Sequence, residues 1–174
     1  MSFRAELTIN SGWSWDDGAK DASKLTYQET MAGTDATNTA DAVWHDEARA
    51  LTDGASDLFD LSSLTRTVLG ATLTTVMTKI KAIHIVNTST SGGKLIVGNA
   101  DYDCWNEPFG ASDHTFEVPL DSSAMISNRR AGWPVTGLGD SSSSSSGDGA
   151  SDRMLKVAAS GGAVTYSIAI IGET

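Results

Sequence analysis

The stretch from Lys79 to Gly172 is a ladder of short apolar runs separated by clusters of Gly, Ser, Asn and Asp. Runs of this length, rich in Val, Ile and Thr, make strands rather than helices. Segments 80–87, 94–98, 115–120, 153–158 and 163–171 each read so. In the last, Val164, Tyr166, Ile168 and Ile170 alternate with Thr165, Ser167, Ala169 and Ile171, the period-2 pattern of a strand with one buried face. Segments 80–87 and 94–98, joined by a polar turn, read as a hairpin, and Gly161-Gly162 reads as a second tight hairpin turn.

The first part of the chain continues the pattern. Phe3, Ala5, Leu7 and Ile9 alternate with polar residues, as do Leu25, Tyr27, Glu29 and Met31 with theirs. Segment 11–23 reads as a polar loop that carries Trp13 and Trp15, which share a face wherever the chain is extended. Segment 32–41, without a large apolar residue, reads as another loop. Segment 43–51 alternates in either register and reads as a strand, with helix left open by Glu47, Ala48, Arg49, Ala50 and Leu51. Segment 64–69 reads as one helical turn between a Ser62 or Ser63 cap and a Gly70 stop, and 72–77 as a strand. Segment 99–114 is a long loop with Tyr102, Trp105, Pro108 and Phe109. That much aromatic surface predicts a loop folded over a barrel mouth or into an interface. The run Ser141 to Ser146, followed by Gly147-Asp148-Gly149, predicts an exposed loop.

The expected fold is therefore all-β: one β-sandwich or barrel of about nine or ten strands. A length of 174 residues suits one domain. No apolar run reaches the ~18–20 residues of a membrane helix, and the opening Met-Ser-Phe-Arg-Ala-Glu shows no secretory leader. A soluble protein made in a cytoplasm is the expectation.

Charge narrows the partners. Net charge is −10, and residues 1–60 alone hold 12 acids against 4 bases. Such a surface repels phosphate backbones, so a nucleic-acid partner is not expected.

Catalytic constellations are hard to assemble. On a strand, His45 and Glu47 of His45-Asp46-Glu47 share one face and Asp46 the other, too few ligands for a transition metal. Asp101 and Asp103, with Asn99 and Asn106 nearby, have a spacing that can share a hard cation, but the calcium-loop signature is missing. His84 lies within an apolar strand and reads as core or core edge. Cys104 is the single cysteine and has no local feature to activate its thiol. No Gly-x-Ser-x-Gly elbow occurs, and Gly92-Gly93-Lys94 lacks the spacing of a phosphate loop. No catalytic, cofactor or metal residue is assigned. Trp13, Trp15 and Trp105 have the rings that could stack on sugars.

A family resemblance enters on particular residues. The series Asp60-Leu61-Ser62, Ile83-His84-Ile85-Val86-Asn87-Thr88, Leu95-Ile96-Val97-Gly98, Gly132-Trp133-Pro134-Val135-Thr136, Leu155-Lys156-Val157 and Tyr166-Ser167-Ile168-Ala169-Ile170-Ile171-Gly172 resembles small virion structural proteins of tailed bacteriophages. These are jelly-roll-like head-decoration or cement proteins, fibre-base proteins and other virion surface components. The resemblance spans roughly 58–172. It implies a sandwich core over 58–174, with 1–57 as an arm or added strands packed on it. It also implies a non-enzymatic homo-oligomer, expected as a trimer, on the outer surface of the head, with the major capsid protein or other virion proteins as partners. The contact residues expected are Phe3, Trp13 and Trp15 in the arm and Tyr102, Trp105 and Phe109 in the aromatic loop. A receptor- or glycan-binding tail or fibre module is the alternative.

Overall fold

The computed structural model describes residues 4–16, 20–32, 39–135 and 152–174, the first two stretches as backbone strands. The hairpin of β1 (Arg4–Asp16) and β2 (Lys20–Ala32) forms a two-stranded sheet of its own, with Ile9 opposite Tyr27. Residues 11–16 and 20–23, expected as loop, are thus strand: their polar composition does not prevent backbone pairing.

The rest is a sandwich. Sheet I runs β10 (Ser122–Ser127), β7 (Lys79–Asn87), β13 (Val164–Glu173), β3 (Ala42–Leu51), and the short β11 (Trp133–Pro134) also pairs with β7. Sheet II runs β4 (Ser56–Asp60), β12 (Met154–Ser160), β8 (Lys94–Gly98), β9 (Thr115–Val118). All pairs within the sheets are antiparallel. Taking the eight principal strands in chain order, every step crosses between sheets except β8 to β9. That alternation, with these strand orders, is the eight-stranded jelly roll.

Each sheet turns its apolar face inward. Trp44, Ile83, Ile85, Tyr166, Ile168 and Ile170 of sheet I meet Phe59, Leu95, Val97, Val118, Leu155 and Val157 of sheet II in one buried cluster. The alternation that marked 163–171 as a strand is the same alternation that buries every second residue of β13. Strand β3, from the segment set apart as arm or added strands, is the edge strand of sheet I and buries Trp44.

The crossing pattern corrects both expected hairpins. β7 and β8 lie in different sheets, and so do β12 and β13. Their turns, 88–93 and 161–163, bridge the two layers and touch backbone to backbone. A Cβ on Gly92 would fall 2.2 Å from the Ala163 carbonyl oxygen, so the contact requires glycine. His84 is corrected too: it lies on the outer, solvent-facing side of β7, between inward-facing Ile83 and Ile85.

The expected helical turn at 64–69 is a strand. β5 (Leu64–Val68) pairs with β6 (Ala71–Thr75) as a separate two-stranded ribbon. Thr65 and Thr67, β-branched, favour the extended form, and Leu69-Gly70 is its two-residue turn rather than a helix stop. Both turn residues have positive φ, 50° at Leu69 and 82° at Gly70, as a type I′ turn requires. Leucine is poorly suited to that conformation, whereas asparagine is among the residues that adopt it. Leu69→Asn is therefore expected to raise unfolding stability by about 1 kcal/mol, read by urea denaturation. A variant no more stable than the parent would mean that the turn is not of this type.

Candidate interaction surface

The jelly roll sorts its loops by length. The short connections 52–55, 88–93, 119–121 and 161–163 gather at one end, where Gly54 N donates to the Ala159 carbonyl and Asp121 N to that of Ser89. The long connections gather at the other. There lie the β5–β6 ribbon and the 99–114 loop, along with Val135 and Asp152, which flank segment 136–151. The serine run falls in that segment, outside the described residues. Long loops on a rigid scaffold are where surface function concentrates.

The aromatic loop is anchored rather than free. Trp105 is fully buried, and its indole N–H donates to the Pro134 carbonyl at 2.8 Å. It meets Phe109 and Trp133 edge-on, with ring centroids 6.4 and 6.2 Å away, and Phe109 stacks on Phe116. Trp105 is therefore a core residue that pins the loop, and its ring is closed to any outside partner. Phe109 is half-buried against the same core. Tyr102, 39% exposed, is the ring of the three that faces solvent. Phe3 and the side chains of Trp13 and Trp15 lie outside the described residues, although β1 carries the backbone of both tryptophans.

The polar clusters resolve into ion pairs. Asp101 pairs with Lys156 at 3.2 Å and Asp103 with Arg153 at 3.2 Å, so each carboxylate has its own cation. Asp46 binds Arg49 at 2.6 Å, and His45 contacts both Glu47 and Arg66. On the outer face of sheet I, Ala169 separates His45 from His84 in register. Among the described residues, no three His, Cys, Asp or Glu side chains are placed to hold a metal ion. Burial pushes the Cys104 thiol above its ordinary pKa, and its Sγ donates to the Ser112 carbonyl. Such a thiol is a poor nucleophile.

The long-loop end also holds the chain that leads out of β1–β2. Ala40 is buried on Ala82 and Ile171, and Asp41 N donates to the Gly172 carbonyl at 3.0 Å. Beside it, the Glu173 carboxylate takes Lys81 at 2.9 Å, Lys79 at 3.0 Å and the Thr39 hydroxyl at 2.5 Å. Lys81 is only 1% exposed. Burial opposes the charge on Glu173, yet hydrogen bonds from Lys81, Thr39 and Lys79 outweigh it and hold the carboxyl at about 2, against an ordinary 4.5. A depressed carboxyl pKa adds stability that is complete above the unfolded value and lost as pH falls through the folded one. Glu173→Gln is therefore expected to cost about 2 kcal/mol at pH 7 and almost nothing near pH 2. Urea unfolding of parent and variant at both pH values checks this, and equal differences at the two would disprove it.

The chain matches no family model, no curated protein and no solved structure.

What the surface can do follows from its own residues. Leu69 is fully exposed, Leu73 is 55% exposed and Val76 44% exposed, and all three lie on or beside the β5–β6 ribbon. The ribbon is uncharged except for Arg66. Reading 64–69 as a helix hid it. The signal that reveals it is a Leu-Gly pair between two threonine-rich runs, Thr65-Arg66-Thr67 and Thr72-Leu73-Thr74, each with strand alternation.

Proposed function

We propose that this chain is a non-enzymatic structural protein of a bacteriophage virion. In this reading it decorates or cements the outer head, binding the major capsid protein as a homo-oligomer, expected as a trimer, after synthesis in the host cytoplasm. The observation that carries the reading is a jelly roll with two two-stranded ribbons whose edges pair with no further strand among the described residues. An isolated two-stranded hairpin is marginally stable in water. Ribbons of this kind gain stability when they pack on a neighbour, which suits an assembly protein.

Two further properties support it. A net charge of −10 favours a position away from packaged DNA. The jelly-roll strand order is of the kind that the resemblance implies, although it also takes in β3 at 42–51, before the resembling span, and the fold alone is shared by capsid proteins, lectins and enzymes. A lattice of many copies would multiply individually modest contacts.

The deciding experiment is the copy number of this chain in purified particles, by quantitative mass spectrometry against the major capsid protein. Stoichiometric copies support decoration. A handful of copies would place the chain in the tail, portal or fibre, and absence from particles would overturn the virion reading. Deletion of residues 1–23 is expected to abolish capsid binding.

A second reading, a receptor- or glycan-binding tail or fibre module, is favoured by a groove at the short-loop end lined by Thr52, Thr88, Ser89, Thr90, Ser91 and Thr165 beside the apolar residues Ala50, Leu51, Ala163 and Val164. With Trp105 buried, sugar stacking in this reading rests on Trp13 or Trp15. A glycan-array signal lost on Trp13→Ala would support it.

A further inference from the structure

We propose that the contact between His45 and Arg66 is an acid-sensitive latch. It holds the outer part of the β5–β6 ribbon on the sandwich at neutral pH and lets go when the histidine takes up a proton. The inference does not depend on the virion reading, because the purified chain alone tests it.

The ribbon is fastened firmly at its base and lightly beyond it. At the base, Leu64 and Met77 are buried in the core, and Met77 N donates to the Leu61 carbonyl at 3.1 Å. Further out, β3 holds β5 by two polar contacts among the described residues. The Trp44 indole N–H donates to the Thr65 carbonyl at 3.1 Å, and Arg66 Nη1 meets His45 Nε2. The cleft between the ribbon and β3 is lined by Asp46, Glu47, Thr65, Arg66, Thr67 and Thr72. None of these is apolar, so apolar packing does not back up the contact there. A two-stranded ribbon is marginal in water without support, and loss of one attachment is felt along it.

The chemistry of the contact makes it sensitive to acid. A guanidinium has only N–H donors, so His45 Nε2 must accept, which requires the neutral imidazole with its hydrogen on Nδ1. A protonated ring donates from both nitrogens and would set one cation against another. Acid also offers His45 another partner on its own strand: Glu47 Oε1 lies 3.7 Å from Nδ1. Asp46 adds negative charge to the cleft, although Arg49 holds it at 2.6 Å. Neutral Ala169 of β13 stands between His45 and His84 of β7, and both histidines and Glu47 line one depression on the outer face. The His45 side chain is 40% exposed, so protons reach it without unfolding. The latched state holds one proton fewer than the released one. The latch is therefore firm above the histidine range and lost as pH falls through it.

Hydrogen exchange of the purified chain tests this. Protection is taken relative to the unstructured chain, which removes the intrinsic dependence of exchange on pH. In peptides covering β5–β6 it is expected to fall about five-fold between pH 7.5 and 5.5, while β7 and β13 stay unchanged. His45→Gln retains a carbonyl acceptor for Arg66 but cannot titrate, and its ribbon is expected to be equally protected at both pH values. Arg66→Gln, which removes the opposing cation, is expected to abolish the response as well. His84→Gln is expected to keep it. Circular dichroism confirms that each variant is folded. A parent ribbon equally protected at both pH values, a response that survives His45→Gln or Arg66→Gln, or one that vanishes in His84→Gln would overturn the proposal.

Discussion

Replacing Asp57 with alanine is expected to cost about 3 kcal/mol of folding stability, the larger part of it from groups left behind. Asp57 on β4 accepts the Arg49 guanidinium through Nε at 2.8 Å and Nη2 at 2.9 Å, and the Tyr166 hydroxyl at 2.6 Å. Arg49 is on β3 and Tyr166 on β13, so the carboxylate of one sheet ties together two strands of the other. The guanidinium also binds Asp46 at 2.6 Å and lies 5.1 Å from the Phe59 ring centroid. The tyrosine is fully buried, and burial, reinforced by Asp57, pushes its pKa up. Truncation would strand that hydroxyl in the core and leave the guanidinium half-satisfied. For a chain of this size the loss corresponds to roughly 6–12 °C in Tm. Burial works against the Asp57 charge, but the hydrogen bonds from Arg49 and Tyr166 prevail and lower its pKa. The clasp's contribution is thus complete above the ordinary aspartate range and lost as pH falls through the lowered value. Urea unfolding of Asp57→Ala at neutral pH checks the magnitude, and a loss below 1 kcal/mol would show that the clasp is incidental.

Trp105→Ala is expected to be at least as damaging, at about 4 kcal/mol. The ring is fully buried and is held by the Pro134 carbonyl and by edge-on contacts to Phe109 and Trp133. Its backbone N–H donates to the Met154 carbonyl at 3.0 Å, which fixes the 99–114 loop to β12. Removing the indole opens a cavity between the sheets and leaves the Pro134 carbonyl without its donor. Tyr102→Ala, three residues earlier on the same loop but 39% exposed, is expected to cost only about 1 kcal/mol. The contrast separates anchor from surface. Comparable losses at the two positions in denaturant titrations would mean that the loop is not pinned as described.

Strands were legible in the sequence because burial on one face writes period-2 alternation into the residues, as in β13. Topology was not. A Gly-Gly or Thr-Ser-rich turn looks the same whether it joins neighbours in one sheet or carries the chain to the facing sheet, so both crossings passed for hairpins. Segment 43–51 alternated in either register for a physical reason. Ala48 sits at φ 57° beside a register shift between Tyr166 and Ile168. This bulge reverses the parity of β3, letting both Trp44 and Leu51 face the core. The aromatic content of 99–114 marked the loop, but residue type could not tell which ring was inside. Trp105 and Tyr102 differ in what packs on them, and that is set by distant residues such as Trp133 and Pro134. The β5–β6 surface stayed hidden behind two serines and a glycine that mimic helix caps.

The jelly-roll strand order also governs how the chain reaches its native state. β3 hydrogen-bonds to β13 and β4 to β12, so strands made early wait for partners made late. Ordering them means closing loops of most of the chain before any contact rewards it, which places this fold among the slow, milliseconds-to-seconds folders. Until Val164–Glu173 emerges, the edge of β3 has no partner, and the nascent protein is at its most vulnerable to association with other chains.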